Sequence, residues 1–272
     1  MADVSLYWFR DDLRLSDLPG LTAAAQTGQV IPVFVRDPHL GDAWRIGSAS
    51  QWWLHHSLLS LRANLAEQGL ELILRSGETV TALTAIAAQT GASTVYCSRH
   101  YQPWSVELET ALYENLSDKG VVLKRYPGTL LHEPEDVATG GGTPFKVFTP
   151  FWRACNRRPD PHQPVPIFEL TPYNGLIESE ELSDWGLLPT SPNWAFGWND
   201  LWRPGEAGAQ AALHQFLDHH VQDYGDGRDI PAEPNTSKLS PYLRFGNISP
   251  RQVWHAAQAS KLERPEASGA ID

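Results

Sequence analysis

The chain has 272 residues, 42% of them hydrophobic, and a formal net charge of −11. That length and apolar content predict a packed core in one large or two ordinary domains and exclude a disordered chain. Two cysteines, Cys97 and Cys155, are too few for a disulfide framework and suit a reducing compartment. No run of residues is long and apolar enough to span a membrane, and the opening MADVSLYWFRDDLR lacks the basic start and apolar stretch of a secretion signal.

In chain order, residues 4–9 (VSLYWF) predict a short buried strand. FRDDLRLSD (9–17) follows as a charged loop leading to a helix. Asp17 is a candidate N-cap, and Arg10, Asp11, Asp12 and Arg14 are able to pair among themselves. Residues 30–35, 70–75, 94–97 and 121–125 predict four more strands. Residues 48–69 predict a helix, since Leu54, Leu58, Leu61 and Leu65 recur at helical spacing and Gly69 supplies a stop. Residues 79–89 and 103–118, the latter opened by Pro103, supply further crossover helices. Five strands separated by helices imply an α/β fold with a doubly wound, parallel, five-stranded sheet, which binds ligands beyond the carboxyl ends of its strands. No G-x-G-x-x-G follows the first strand and no G-K-[ST] occurs, so ordinary dinucleotide and P-loop readings have no support.

Residues 131–200 change character. Rich in proline, glycine and acid, they read as a long connector over the surface. Within them, PFKVFTPFWRA (144–154) reads as a packing segment through Phe145, Phe148, Phe151 and Trp152. Most of the eleven tryptophans are expected to anchor the core or an interface. Residues 206–222 resume a helical pattern. His214 and Asp218, four apart on it, fall short of a metal's ligand count, so no metal site is expected. The twin His55-His56 is expected at a helix surface or interface.

Charge is spread unevenly. Residues 160–235 hold two cations, Arg203 and Arg228, against thirteen acids, which is the whole excess. Flanking them are Lys146, Arg153, Arg157 and Arg158, with no acid within 144–158, and Lys238, Arg244, Arg251, Lys261 and Arg264, with Glu263 alone. The overall acidity argues against unspecific nucleic-acid binding. The segregation predicts salt bridges between segments, or phosphate contacts by some of the cations.

The stretch TSKLSPYLRFGNISPRQVW (236–254) is the most informative. Ser240-Pro241 and Ser249-Pro250 each read as an N-cap followed by proline at the first helical position. Thr236, Ser237 and Lys238 add two hydroxyls and a cation. Together they read either as ordinary capping or as a site for a phosphate or pyrophosphate. Upstream, Tyr224 and Arg228 share a face if helical, but Gly225 and Gly227 are expected to break the helix and present Tyr224 near the turn.

Extended through Tyr224, Arg228 and Pro231, this stretch resembles the flavin-binding signature of the DNA photolyase/cryptochrome family. FRDDLRLSD and PFKVFTPFWRA resemble two further segments of that family, in the same order, so the likeness covers nearly the entire chain. Within the family it is similar to class I cyclobutane pyrimidine dimer photolyases. The resemblance implies a Rossmann-like, antenna-binding α/β domain over 1–130, a connector over 131–200, and the beginning of an all-helical FAD-binding domain over 201–272. It implies FAD as cofactor, with Tyr224, Thr236, Ser237, Lys238, Leu239 and Ser240 at the flavin. Arg228 is then a DNA contact, a support for the cofactor loop, or simply the partner of Asp229.

The activity so implied is light-dependent DNA repair, in which an excited reduced flavin gives an electron to a pyrimidine dimer flipped out of the duplex. A cryptochrome-type photoreceptor and a non-catalytic pigment- or nucleotide-binding module are the alternatives. A second, antenna chromophore is also implied: folate, deazaflavin or flavin. The family's folate-binding Asn-Glu pair and histidine align with Ser105, Val106 and Trp44, a departure from that folate mode. Damaged DNA is the implied partner of a monomeric, cytoplasmic protein with no membrane contact. The sequence ends eighteen residues past the signature. The resemblance therefore implies an N-terminal portion, with catalytic residues beyond residue 272 and a helical part exposing broad apolar surface. The 272-residue chain alone is not expected to repair DNA.

Overall fold

The computed structural model describes residues 3–38 and 45–263. Strands β1 (Asp3–Phe9), β2 (Gly28–Arg36), β3 (Ile73–Ser76), β4 (Thr94–Ser98) and β5 (Val122–Tyr126) form a sheet in the order β3-β2-β1-β4-β5, and every pairing is parallel. A sixth strand, β6 (Thr171–Pro172), pairs with β2 through Gln29 and Val30. Two residues carry no periodic signal, so the expected count of five strands rises to six. β3 begins three residues later than expected. The turn after the preceding helix consumes Leu70, whose N–H donates to the Leu65 carbonyl at 3.0 Å.

The crossover helices are α1 (Pro19–Thr27), α2 (Ser48–Glu67), α3 (Thr79–Thr90) and α4 (Pro103–Ser117). α2 stops where expected, at Gly69, whose φ of +77° favours glycine. Alternation along the strands sorts the core into two faces. Tyr7, Phe9, Val30, Phe34 and Tyr96 pack with α1 and α2, while Leu6, Trp8, Ile31, Val33, Val95 and Cys97 pack with α3 and α4. The chain runs outward from β1 through β2 and β3, then crosses back to β4 and β5. The switch point therefore lies between β1 and β4.

Downstream lie α5 (Phe148–Cys155), α6 (Trp198–Leu201), α7 (Glu206–His219), α8 (Tyr224–Gly227), α9 (Ser240–Arg244) and α10 (Pro250–Glu263). Leu213 and Leu217 of α7, with Tyr242, Phe245 and Ile248, join the same apolar cluster as Trp52, Trp53 and Leu58 of α2. Tryptophans anchor this junction: Trp53 meets Tyr242 at 4.9 Å and Trp202 at 5.4 Å, and Trp52 meets Trp198 at 5.3 Å, all edge-on. The segment 144–154 departs from its expected packing role. Phe148 is 71% exposed and Val147 62%; the rings pack only on one another, Phe148 on Trp152 and Phe145 on Phe151, each at 6.3 Å among the described residues, and within α5 only Cys155 is buried. No helix among the described residues is long and apolar enough to cross a membrane, and none of their His, Cys, Asp and Glu side chains form a group able to hold a metal ion.

Candidate functional site

The loop after β1 is a seam. Its charged side chains find their ion pairs outside the loop, not among themselves as expected. Arg10 meets Glu109 at 2.7 Å and Asp11 meets Arg244 at 2.7 Å. Asp12 accepts from Tyr7, Ser98 and the Arg10 N–H. Arg14, fully buried, donates to four backbone carbonyls: those of Ser16, Asp17, Gly128 and Gly246. Asp17 is not the cap of α1; Leu18 holds that position. The Asp17 carboxylate turns instead to the Val165 N–H, the Ser249 hydroxyl and the Arg251 guanidinium, 2.7 Å away. The physical reason is burial. A carboxylate with no solvent exposure finds a cation and two neutral donors here, against a single orphan N–H at a helix start.

The other side of the seam is RFGNIS (244–249). Leu13 N–H donates to the Phe245 carbonyl at 3.1 Å. Gly246 lies at φ +62° where a Cβ would stand 2.1 Å from the Asp11 carbonyl oxygen, so no other residue fits. Asn247, wholly buried, accepts from Trp53 Nε1 at 3.0 Å and the Ser57 hydroxyl at 3.2 Å, and donates to the Leu13 carbonyl at 3.2 Å. Glu206, opening α7, receives the N–H groups of Leu15 and Ser16. Ser249 caps α10 as expected and completes a capping box with Gln252: each accepts the other's backbone N–H, at 3.0 and 2.8 Å.

α9 begins at the expected flavin turn and ends at the seam. Ser240 is its first residue and not its N-cap; Leu239 stands in the cap position without a side-chain cap bond. Leu239 and Tyr242 are buried in the core, 4% and 3% exposed, and pin the turn. The Leu239 side chain is therefore an anchor, leaving its backbone for any ligand. Ser237 Oγ accepts from Leu239 N–H at 3.4 Å, and Lys238 holds a φ of +53°. Thr236, Lys238 and Ser240 are exposed. Two open hydroxyls and an ammonium on a pinned turn fit the phosphate groups of FAD. Upstream, residues 224–227 do form a helical turn, contrary to the expected break. Tyr224 packs edge-on against Phe216 at 5.7 Å, and the Arg228 guanidinium lies 5.8 Å over its ring. Gly227 brings this turn against the signature, since a Cβ there would meet the Asn235 side chain at 2.0 Å. Arg228 is 4.0 Å from Asp229 and both are exposed.

A cleft of about 220 Å³ opens at the carboxyl ends of β1, β2 and β4. Trp8, Phe34, Trp104 and Phe245 give it apolar walls, and Arg10, Arg36, Arg45 and Arg244 outnumber Asp11 and Asp37. The Arg10 guanidinium lies 4.2 Å over the Trp8 ring. His100, just past β4, lines the cleft and is 7% exposed, with neither ring nitrogen partnered among the described residues. Burial, then the Arg10 and Arg244 guanidiniums, push its pKa well below the ordinary histidine value. No sequence motif marks His100. Its one signal was position, at the strand end beside the switch point. Ser105, aligned with the folate pair, is buried and accepts from Arg10 Nη1 at 3.2 Å; Val106 is exposed, and Trp44 lies outside the described residues. A second cleft, of about 290 Å³ and mostly polar, lies between residues 132–161 and α10.

Residues 5–168 match the family model described as DNA photolyase. The chain is 44% identical to the deoxyribodipyrimidine photo-lyase of Agrobacterium fabrum over 268 residues, 98% of this chain and 55% of that one. It is 31% identical to cryptochrome-2 of Arabidopsis thaliana, over 96% of this chain and 44% of that one. The crystal structure of a class III photolyase from Agrobacterium tumefaciens superposes with a TM-score of 0.94 at 44% identity, covering all of this chain and 56% of that one. That protein is class III, whereas the sequence signatures resembled class I members. The chain thus spans about half the length of these curated relatives. With the family model covering more than half of it, the chain belongs to the DNA photolyase family.

Proposed function

We propose that this chain contributes the α/β part and the flavin-phosphate turn of a light-driven DNA-repair lyase acting on cyclobutane pyrimidine dimers. The observation that carries the reading is the 44% identity to a deoxyribodipyrimidine photo-lyase across 98% of the chain. When bound, FAD supplies the light-activated electron that opens the dimer. Thr236, Ser237, Lys238 and Ser240 hold its phosphates, the Leu239 backbone lines the turn, and Tyr224 stands alongside. Arg228, exposed beside Tyr224, is available to the DNA backbone.

A second pigment fits the strand-end cleft, whose aromatic walls and excess of arginine suit a planar heteroaromatic with anionic groups. α9 connects the two sites, with Ser240 at one end and Arg244 at the other, about 6 Å apart along the helix. The proposal divides the chain into an α/β unit (1–130), a connector (131–200) and the start of a helical FAD-binding domain (201–272). It further takes the protein to be monomeric and cytoplasmic, which its two free, buried cysteines suit.

The test is dimer content of a UV-irradiated oligothymidylate after blue light, using the protein as isolated from its host with its flavin measured by absorbance. Loss of dimers in light and not in darkness supports repair. Flavin present with no dimer loss rejects it and favours photoreception, the reading that the identity to cryptochrome-2 brings in. Replacing Ser237 and Ser240 together by Ala is expected to lower flavin occupancy, and unchanged occupancy removes the assignment of the turn.

A further inference from the structure

We draw no further inference here: the strongest candidate, the exposed aromatic and basic face of α5 with Phe148, Phe151 and Arg153, carries none because nothing in the structure shows what covers it.

Discussion

Asn247→Ala tests whether the seam holds the two halves of the molecule together. The amide has no solvent exposure and makes three bonds, to Trp53 Nε1, the Ser57 hydroxyl and the Leu13 carbonyl. Truncation strands the Trp53 N–H and the Leu13 carbonyl, both in buried residues. Ser57 escapes by turning its hydroxyl to a carbonyl of its own helix. Two stranded buried groups cost about 1–3 kcal/mol each, and a water entering the vacated space returns part of it, for a net loss of about 3 kcal/mol. At the 2–4 °C per kcal/mol usual for chains of this size, the midpoint falls by about 6–12 °C. The assay is thermal and urea denaturation, each followed by circular dichroism and tryptophan fluorescence. The second readout is a cycle with Trp53→Phe, which removes the same donor. The two changes should be non-additive by about 1–2 kcal/mol, since each breaks a bond the other has already lost. A loss below about 1 kcal/mol at unchanged m-value, or strict additivity with Trp53→Phe, would show that Asn247 does not hold the seam.

Glu109→Gln is expected to cost about 3 kcal/mol, because Arg10 then loses its buried counter-charge. Arg125→Gln on the same carboxylate is expected to cost under about 1 kcal/mol, since Arg125 is half exposed; chemical denaturation of both variants decides. Lys238→Gly is expected to raise stability by about 0.5–1 kcal/mol in urea by releasing the left-handed strain, while Lys238→Ala, which keeps it, leaves stability within about 0.5 kcal/mol. On the acid side, His100 has a folded pKa below its unfolded one. The stability it contributes is complete above about pH 6.5 and is lost as pH falls below that value, at up to about 1.4 kcal/mol per pH unit. His55, His56 and His132 are shifted down too, each first by burial, so the His100 share is read as the difference between wild type and His100→Asn. Equal acid slopes for the two proteins overturn that assignment.

The sheet was legible in the sequence because its information is local. Each of the five longer strands shows its apolar run, and α2 shows Leu54, Leu58, Leu61 and Leu65 at one face with Gly69 to end it. The hydroxyls of Thr236 and Ser240, exposed on the turn before and at the start of α9, were legible for the same reason. The pairing of Asp17 was not legible. Its local options were a helix cap or a neighbouring arginine, and its actual partner, Arg251, is 234 residues away. Only burial decides between those options, and burial is a property of the assembled fold. His100 illustrates the same limit from the other side: a lone histidine after a strand has no pattern, and what marks it is that both ring nitrogens are buried without a partner among the described residues.

The seam also explains why two stretches recognisable separately in the sequence depend on each other. Asp11 fixes Arg244, which lines the strand-end cleft, while Leu13 fixes Phe245, the residue just past α9. α9 is five residues long and carries the proposed flavin turn at its start, so it has too few internal bonds to hold its own position. Its placement comes from Leu239 and Tyr242 in the core and from the loop after β1 at its end. A lesion in that loop, such as Asp11→Ala, should therefore disturb the turn at 236–240 and the cleft together. A lesion confined to the turn, such as Ser237→Ala, should leave the cleft's affinity for a ring probe unchanged. That asymmetry separates a shared mechanical support from two sites that merely lie close.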